Sequence, residues 1–411
     1  MRSLSPQPQP LPSQPGRALW HGGGCTVCGG TDLMEFLRLD NVPAQDGLVW
    51  DTREAAMAAP TGSIRLAFCR RCGYVGNRTY DAGRVLFAGY DVSLEFSPQY
   101  RAFTEAVAAR LIGRYDIRRK AVLEIACGKG YFLRTICRLG ENRGVGFDPA
   151  YADEGADDAG LDITFIRDYY TEKHAGVNAD LVACRQVLDI LDDQPGFLTG
   201  VRRTLQSSAG TVLYFEIPNA DATLTRFTPW NVVYEHCSWF TGDVLALFFE
   251  LHGFEVLDVA PCNDGEYLGL EARPSDAVRV RHIPDALSLA ERETGLADLG
   301  ARFGSSVERW RATLAAHRSA GRRIALWGAG ARAIGFLSAL DVKDVDIPVA
   351  DINPRRQGRF LAGTGHRVVP PGALPDLKPD LIVITNPAYA AEIRGQAGEL
   401  GLTSEMLDLE S

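Results

Sequence analysis

Apolar residues in this chain fall into short runs separated by polar or glycine-rich breaks, and the runs are of two kinds. Those at Ala121–Ile125, 145–147, 163–166, 181–184 and 211–217 are too short for helices and are bounded by turn residues, which predicts buried strands. Between them, 103–112 and 132–139 carry apolar residues at helical spacing. Short apolar strands alternating with helices predict an α/β fold with a parallel, doubly wound sheet over 93–273. The alternation restarts with strands at Ile324–Trp327, 347–350 and Leu381–Ile384, so 321–411 reads as a second, smaller Rossmann-like domain. The stretch between them, 274–320, is rich in Ala, Arg and Glu without a strand signal and predicts a helical connector. Ahead of all this, 18–92 is glycine-rich with short apolar runs such as 64–68, suited to small strands around a metal. In 1–17 proline and glutamine alternate in a way that neither packs nor forms helix, which predicts a disordered leader.

Composition narrows the class. A chain of 411 residues has room for two to three domains, and 46% hydrophobic with 23% charged residues is the make-up of a globular protein. The formal net charge of -9 disfavours a nucleic-acid polymer or an anionic membrane as partner. The greasiest stretch, 244–259, is interrupted by Glu250, His252 and Glu255, so no membrane span is expected. The N-terminus lacks an apolar signal region, which points to the cytoplasm. Nine cysteines include two CxxC pairs, Cys25 with Cys28 and Cys69 with Cys72. Four thiolates suit tetrahedral zinc in a reducing compartment, and Gly29, Gly30 and Gly73 let main-chain amides approach the sulfurs. The long separation of the pairs requires the intervening segment to fold back on itself. Such a closed site stabilises a fold and leaves no position open for catalysis. Redox CxxC chemistry and buried unliganded thiols are the alternatives. His21 reads as a surface residue.

The sharpest motif is Val122-Leu-Glu124-Ile-Ala126-Cys-Gly128-Lys-Gly130-Tyr-Phe132, a strand ending in a tight glycine turn that opens a helix. Such a turn brings main-chain amides to a ligand at a helix N-terminus. A second strand ends at Asp148, where a carboxylate can hold a ribose diol, and a third ends at Asp168 and Tyr169, where an acid and an aromatic can bracket an adenine. With Ala126 in place of the first glycine, the order resembles motif I of class I S-adenosylmethionine-dependent methyltransferases more than an NAD site. The strand ending in Arg185 and Gln186 is similar to the segment that lines the methionine end of that cofactor. Further on, Phe215-Glu216-Ile-Pro218-Asn219 and Tyr234-Glu235-His236-Cys-Ser-Trp239-Phe240 make the chain resemble the three-part sugar C-methyltransferases of deoxysugar pathways, over nearly its whole length after the leader.

That resemblance implies an N-terminal zinc-binding domain, a class I methyltransferase domain and a C-terminal Rossmann-like domain. It also implies cofactor contacts at Glu124, Ala126, Gly128, Gly130, Asp148, Asp168, Tyr169, Arg185 and Gln186. His236 matches the family's base, which removes a proton beside a 4-keto group, with Glu235 orienting or polarising it. The family's tyrosine three residues before the histidine is Val233 here, and the tyrosine is shifted to Tyr234, the remaining catalytic candidate. Where the family carries a His-Gly-Gly-Ser stretch, this chain has Asn263-Asp264-Gly265-Glu266-Tyr267. Asn219, Asp264, Glu266 and Tyr267 are therefore acceptor candidates, for a keto sugar or for a sugar methylated at oxygen or nitrogen.

The C-terminal block repeats the layout with Gly328-Ala-Gly330-Ala-Arg332 and a later Asp351. Arg332 and Tyr389 are candidates for phosphate or base contacts of a nucleotide-linked substrate. The sequence thus predicts a methyltransferase acting on a small nucleotide-linked sugar, and leaves the oligomeric state open. An NAD-dependent sugar-modifying oxidoreductase using the second glycine turn, and a non-catalytic zinc scaffold, are the readings from other classes.

Overall fold

The computed structural model describes residues 23–86, 90–153, 158–174, 176–205, 210–225, 229–342 and 347–410. The expected leader and His21 lie outside the described residues. The centre is a seven-stranded sheet built from β1 (Ala121–Ile125), β2 (Arg143–Phe147), β3 (Asp162–Ile166), β4 (Leu181–Arg185), β5 (Val212–Pro218), β6 (Phe254–Cys262) and β7 (Tyr267–Pro274). Their order across the sheet is 3-2-1-4-5-7-6. The first five pair in parallel, whereas β7 runs antiparallel to β5 and to β6.

β1 and β4 are buried at every position, as expected of strands covered on both faces. One face packs Leu123, Val182 and Phe215 with Phe248 and Phe249 of helix Gly242–Leu251. The other packs Val122, Leu181 and Tyr214 with Leu111 of helix Pro98–Tyr115 and Ile136 of helix Tyr131–Gly140. Helix Pro98–Tyr115 starts where the Ser97 side chain accepts from Tyr100 N with proline in the first turn, and stops at Asp116 in the left-handed region. The sequence pattern misses β6, whose mostly half-buried residues give no clean alternation on this outer strand.

A four-stranded antiparallel sheet precedes the central one, made of Leu33–Pro43, Thr61–Cys69, Val75–Asn77 and, from far along the chain, Ser238–Trp239. The C-terminal sheet has five parallel strands in the order Val368–Val369, Val349–Ala350, Ile324–Trp327, Leu381–Ile384, Glu405–Asp408. Helices Ala286–Ala297 and Leu299–Ser319 occupy the expected connector. They are shared structure and not a tether: Leu296 and Leu299 enter the core of the first sheet, and Val307, Trp310 and Leu314 that of the C-terminal sheet. Val49–Trp50 also pairs with Phe360–Leu361, tying the first block to the last. Among the described residues no helix is long and apolar enough to cross a membrane.

Candidate functional site

A cavity of about 1420 Å³ opens at the C-terminal ends of β1, β2 and β4 and runs to the turn after Ile324–Trp327 of the C-terminal sheet. Its floor on the β1 side is the glycine turn. Ala126 and Gly128 take φ of 55°, and Gly130 takes φ of 80° as N-cap of helix Tyr131–Gly140. A Cβ on Gly130 would lie 2.4 Å from the Phe165 ring, so the turn needs glycine there. Asp148 braces this turn, its Oδ2 accepting from Gly128 N at 2.9 Å and its Oδ1 from Ala150 N at 2.7 Å. Burial pushes the Asp148 carboxyl above its ordinary range. Beneath it, Glu124 accepts from Leu133 N at 3.1 Å, and burial raises its pKa to about 8. Asp168 and Tyr169 line the same cavity from the end of β3, with Lys173 2.5 Å from Asp168 and holding its carboxyl low.

Arg185 and Gln186 line the cavity but are already engaged. Arg185 Nη2 lies 2.9 Å and Gln186 Nε2 3.0 Å from Oε1 of the fully buried Glu216, whose Oε2 accepts from Tyr214 OH at 2.8 Å. The guanidinium also lies 4.8 Å from the Phe132 ring centroid. These side chains shape the wall through a satisfied ion pair. The cradle therefore suits S-adenosylmethionine: a turn of small residues that a ligand can approach closely, a carboxylate at the end of β2, and an acid and an aromatic after β3.

The 234–236 triplet is split by the structure. His236 lines the cavity, its side chain 22% exposed, with Nε2 3.6 Å from Asp189 Oδ2. Tyr234, expected near the reaction, is fully buried instead. It stacks on Tyr80 with ring centroids 5.5 Å apart, covers Gly62, and its OH accepts from Asp81 N at 2.9 Å. Its apolar ring is drawn into the core of the N-terminal sheet. Glu235 was expected to orient His236, but its carboxylate turns to the first block. Oε1 accepts from Asp46 N at 2.6 Å and Gly47 N at 3.0 Å, and Oε2 from Tyr90 OH at 2.8 Å. Three donors fix that carboxylate and leave Asp189 as the carboxylate facing the imidazole. Sequence reasoning missed Asp46, Tyr90 and Asp189, all lining the cavity, because no local motif marks them.

Of the acceptor candidates, Glu266, Tyr267, Arg332 and Tyr389 line the cavity. Asp264 does not: it is exposed, in the left-handed region, at the tip of the β6–β7 hairpin. Asn219 is buried and serves that hairpin, with Nδ2 donating to Gly265 O at 2.9 Å and its main-chain N to Glu266 O at 2.9 Å. Arg332 was expected to meet a substrate phosphate, yet its Nη2 lies 2.6 and 2.9 Å from the two Glu266 oxygens. Its Nε is 2.5 Å from Asn231 Oδ1, and its Nη1 donates to Asn386 Oδ1. A guanidinium so occupied joins the C-terminal unit to the β6–β7 turn.

At the far end of the N-terminal sheet, Cys25, Cys28, Cys69 and Cys72 place their sulfurs within 4.8 Å of one another. Cys25 and Cys72 are 3.6 Å apart, as are Cys28 and Cys69. With zinc–sulfur bonds of about 2.3 Å, a tetrahedron has sulfur–sulfur edges of about 3.8 Å. The donor set therefore suits a closed tetrahedral ion.

An antiparallel β7 inserted between β5 and β6 distinguishes this sheet from the all-parallel dinucleotide fold. Together with the cradle at β1, it makes the protein a class I S-adenosylmethionine-dependent methyltransferase. A methyltransferase-domain family matches residues 99–259, and the C-methyltransferase C-terminal domain family matches 274–402. The two matches place a methyltransferase domain and the C-terminal domain of C-methyltransferases one after the other in this chain. It is 24% identical over 385 residues to the C-methyltransferase NovU of Streptomyces niveus, covering 90% of each chain. Among solved structures, a Burkholderia thailandensis 1,6-didemethyltoxoflavin-N1-methyltransferase with S-adenosylhomocysteine matches at 17% identity and a TM-score of 0.34, over 43% of this chain and 80% of that one. A magnesium protoporphyrin IX methyltransferase from Synechocystis matches at 16% identity and 0.34, over 43% and 84%. The oxidoreductase and scaffold readings of the sequence give way to methyl transfer.

Proposed function

We propose that the protein methylates a carbon atom of a nucleotide-linked keto deoxysugar, with His236 as base and zinc as a structural ion on the four cysteines. The observation that carries this reading is that His236 lines the same cavity as the glycine turn of β1. At about 1420 Å³ that cavity exceeds the roughly 300–1,000 Å³ of a one-ligand pocket, which supports two ligands side by side. When bound, S-adenosylmethionine supplies an electron-poor methyl on a sulfonium, and the methyl–sulfur bond pair stays with sulfur on transfer. His236 takes the proton from the carbon beside the keto group, and the C–H pair becomes the enolate that attacks the methyl. An imidazole suits this task because it exchanges a proton near neutral pH. The protein's similarity to NovU supports transfer to carbon. The unpaired cysteines and the two CxxC pairs support a reducing, cytoplasmic setting.

The test is a product assay. Purified protein is titrated calorimetrically with S-adenosylmethionine and S-adenosylhomocysteine, then incubated with a panel of nucleotide-linked 4-keto deoxysugars, and the methylated atom is read by NMR. We expect micromolar cofactor binding, a new carbon–carbon bond and one zinc per chain. A methyl on oxygen or nitrogen would overturn the carbon assignment, and a metal-free active protein the zinc. His236→Ala should keep its S-adenosylhomocysteine affinity and lose turnover; full turnover would remove it from the mechanism.

A further inference from the structure

Asp189 sits on the single turn Leu188–Ile190 that follows β4, and it lines the cavity. Its main-chain oxygen accepts from Cys237 N at 2.9 Å and from Cys237 Sγ at 3.1 Å. The turn is thus stapled to the residue after His236, which sets the two side chains face to face. The Asp189 side chain is only 4% exposed, with Oδ2 3.6 Å from His236 Nε2. Its other oxygen, Oδ1, is buried with no hydrogen-bond partner among the described residues. A buried carboxylate missing a donor is costly, and such a cost is retained where the charge is used. Burial and, to a smaller extent, Glu235 push the Asp189 carboxyl up, and His236 together with Asp189's own main-chain N–H draws it back down.

The other groups that face this pair come from several elements. Asp46 and Tyr90 approach from the first block, Cys184 from β4, Asp192 from the following loop, and Glu235 and Cys237 flank the histidine. All are acids or weak acids. Arg356, the cation that faces Asp46, gives its guanidinium to Ala329 O and Asp91 O, both at 2.7 Å.

We infer that Asp189 is the positioning residue of His236, an inference that rests on reading His236 as the base. A neutral imidazole that turns Nε2–H toward Asp189 keeps its Nδ1 lone pair for the substrate. When Nδ1 takes the proton from carbon, the C–H pair stays on the substrate as the enolate, and the imidazolium faces a carboxylate. The 3.6 Å separation exceeds a hydrogen bond, so the carboxylate favours the proton on Nε2 through its charge.

The test uses full-length protein labelled with 15N-histidine, the His236 signals being assigned by their loss in His236→Ala. Wild type should hold His236 in the Nε2–H tautomer at pH 8, and Asp189→Ala should lose that preference while binding S-adenosylhomocysteine within about twofold of wild type. With the acceptor found in the product assay, kcat should fall about 100-fold and KM stay within about twofold. An unchanged tautomer in Asp189→Ala overturns the inference. If that variant fails to bind S-adenosylhomocysteine, Asp189→Asn keeps the shape and removes the charge. Its kcat/KM profile should then move its acid limb about one pH unit lower, because the imidazolium has lost its counter-charge. An unmoved limb overturns the inference. Full turnover by His236→Ala would instead overturn the base assignment, whatever the tautomer result.

Discussion

The central and C-terminal units of this protein share one device and use it differently. In each, a strand ends in a glycine-containing turn whose main-chain N–H is held by an aspartate from the next parallel strand. Gly128 N donates to Asp148 Oδ2 at 2.9 Å, and Ala329 N to Asp351 Oδ2 at 2.7 Å. Around the first, the main chain takes left-handed conformations at Ala126, Gly128 and Gly130, and Ala126 and Gly128 line the cavity directly. Around the second, side chains occupy the mouth: Arg332 is bound to Glu266, Asn231 and Asn386, and Arg356 to Ala329 O. A strand–turn–helix with a following acid is therefore a scaffold. Whether it receives a cofactor depends on what the neighbouring elements place at its mouth.

The comparison is broken most readily at the glycines. Gly130→Ala puts a Cβ against the Phe165 ring in a left-handed conformation, and should cost about 2–4 kcal/mol in denaturant unfolding and at least tenfold in S-adenosylhomocysteine affinity. Gly330→Ala meets nothing within 4 Å at φ of −88° and should cost under about 1 kcal/mol with unchanged affinity. Equal losses at both sites would mean that the two turns do the same work.

Next come the acids. Asp148→Ala should weaken S-adenosylhomocysteine binding by about 1.5–3 kcal/mol, roughly ten- to hundredfold in Kd by calorimetry. Asp351→Ala should leave that Kd alone, and a comparable loss there would show that the C-terminal turn also holds the cofactor.

The smallest effect concerns Glu124, with its pKa raised to about 8 by burial. A carboxyl raised in the folded state binds its proton more tightly than in the unfolded chain. It therefore removes stability as pH rises from about 4.5 to about 8. Glu124→Gln should flatten unfolding free energy across that window, and an undiminished slope would assign the pH dependence to other groups.

What was legible in the sequence was local. Strand ends, the glycine turn and the paired thiols each declare themselves within a dozen residues, because period and turn chemistry are short-range. The orientation of loop side chains is not. Glu235 faces away from its neighbour His236 because amides 188 and 189 residues earlier claim its carboxylate, and Tyr234 follows an apolar core built by another sheet. Asp189 carries no motif at all; a chain-distant staple to Cys237 sets its position. Arg332 resembled a phosphate ligand because its partner, Glu266, belongs to a different domain.

The last strand of the N-terminal sheet, Ser238–Trp239, leaves the ribosome about 160 residues after the strand it pairs with, Val75–Asn77. At roughly 5–20 residues per second, that edge stands bare for roughly 10–30 s of synthesis. The four-cysteine end can fold early, but its sheet closes only once most of the methyltransferase domain exists, so a chain truncated before that strand would carry an open edge available to other chains.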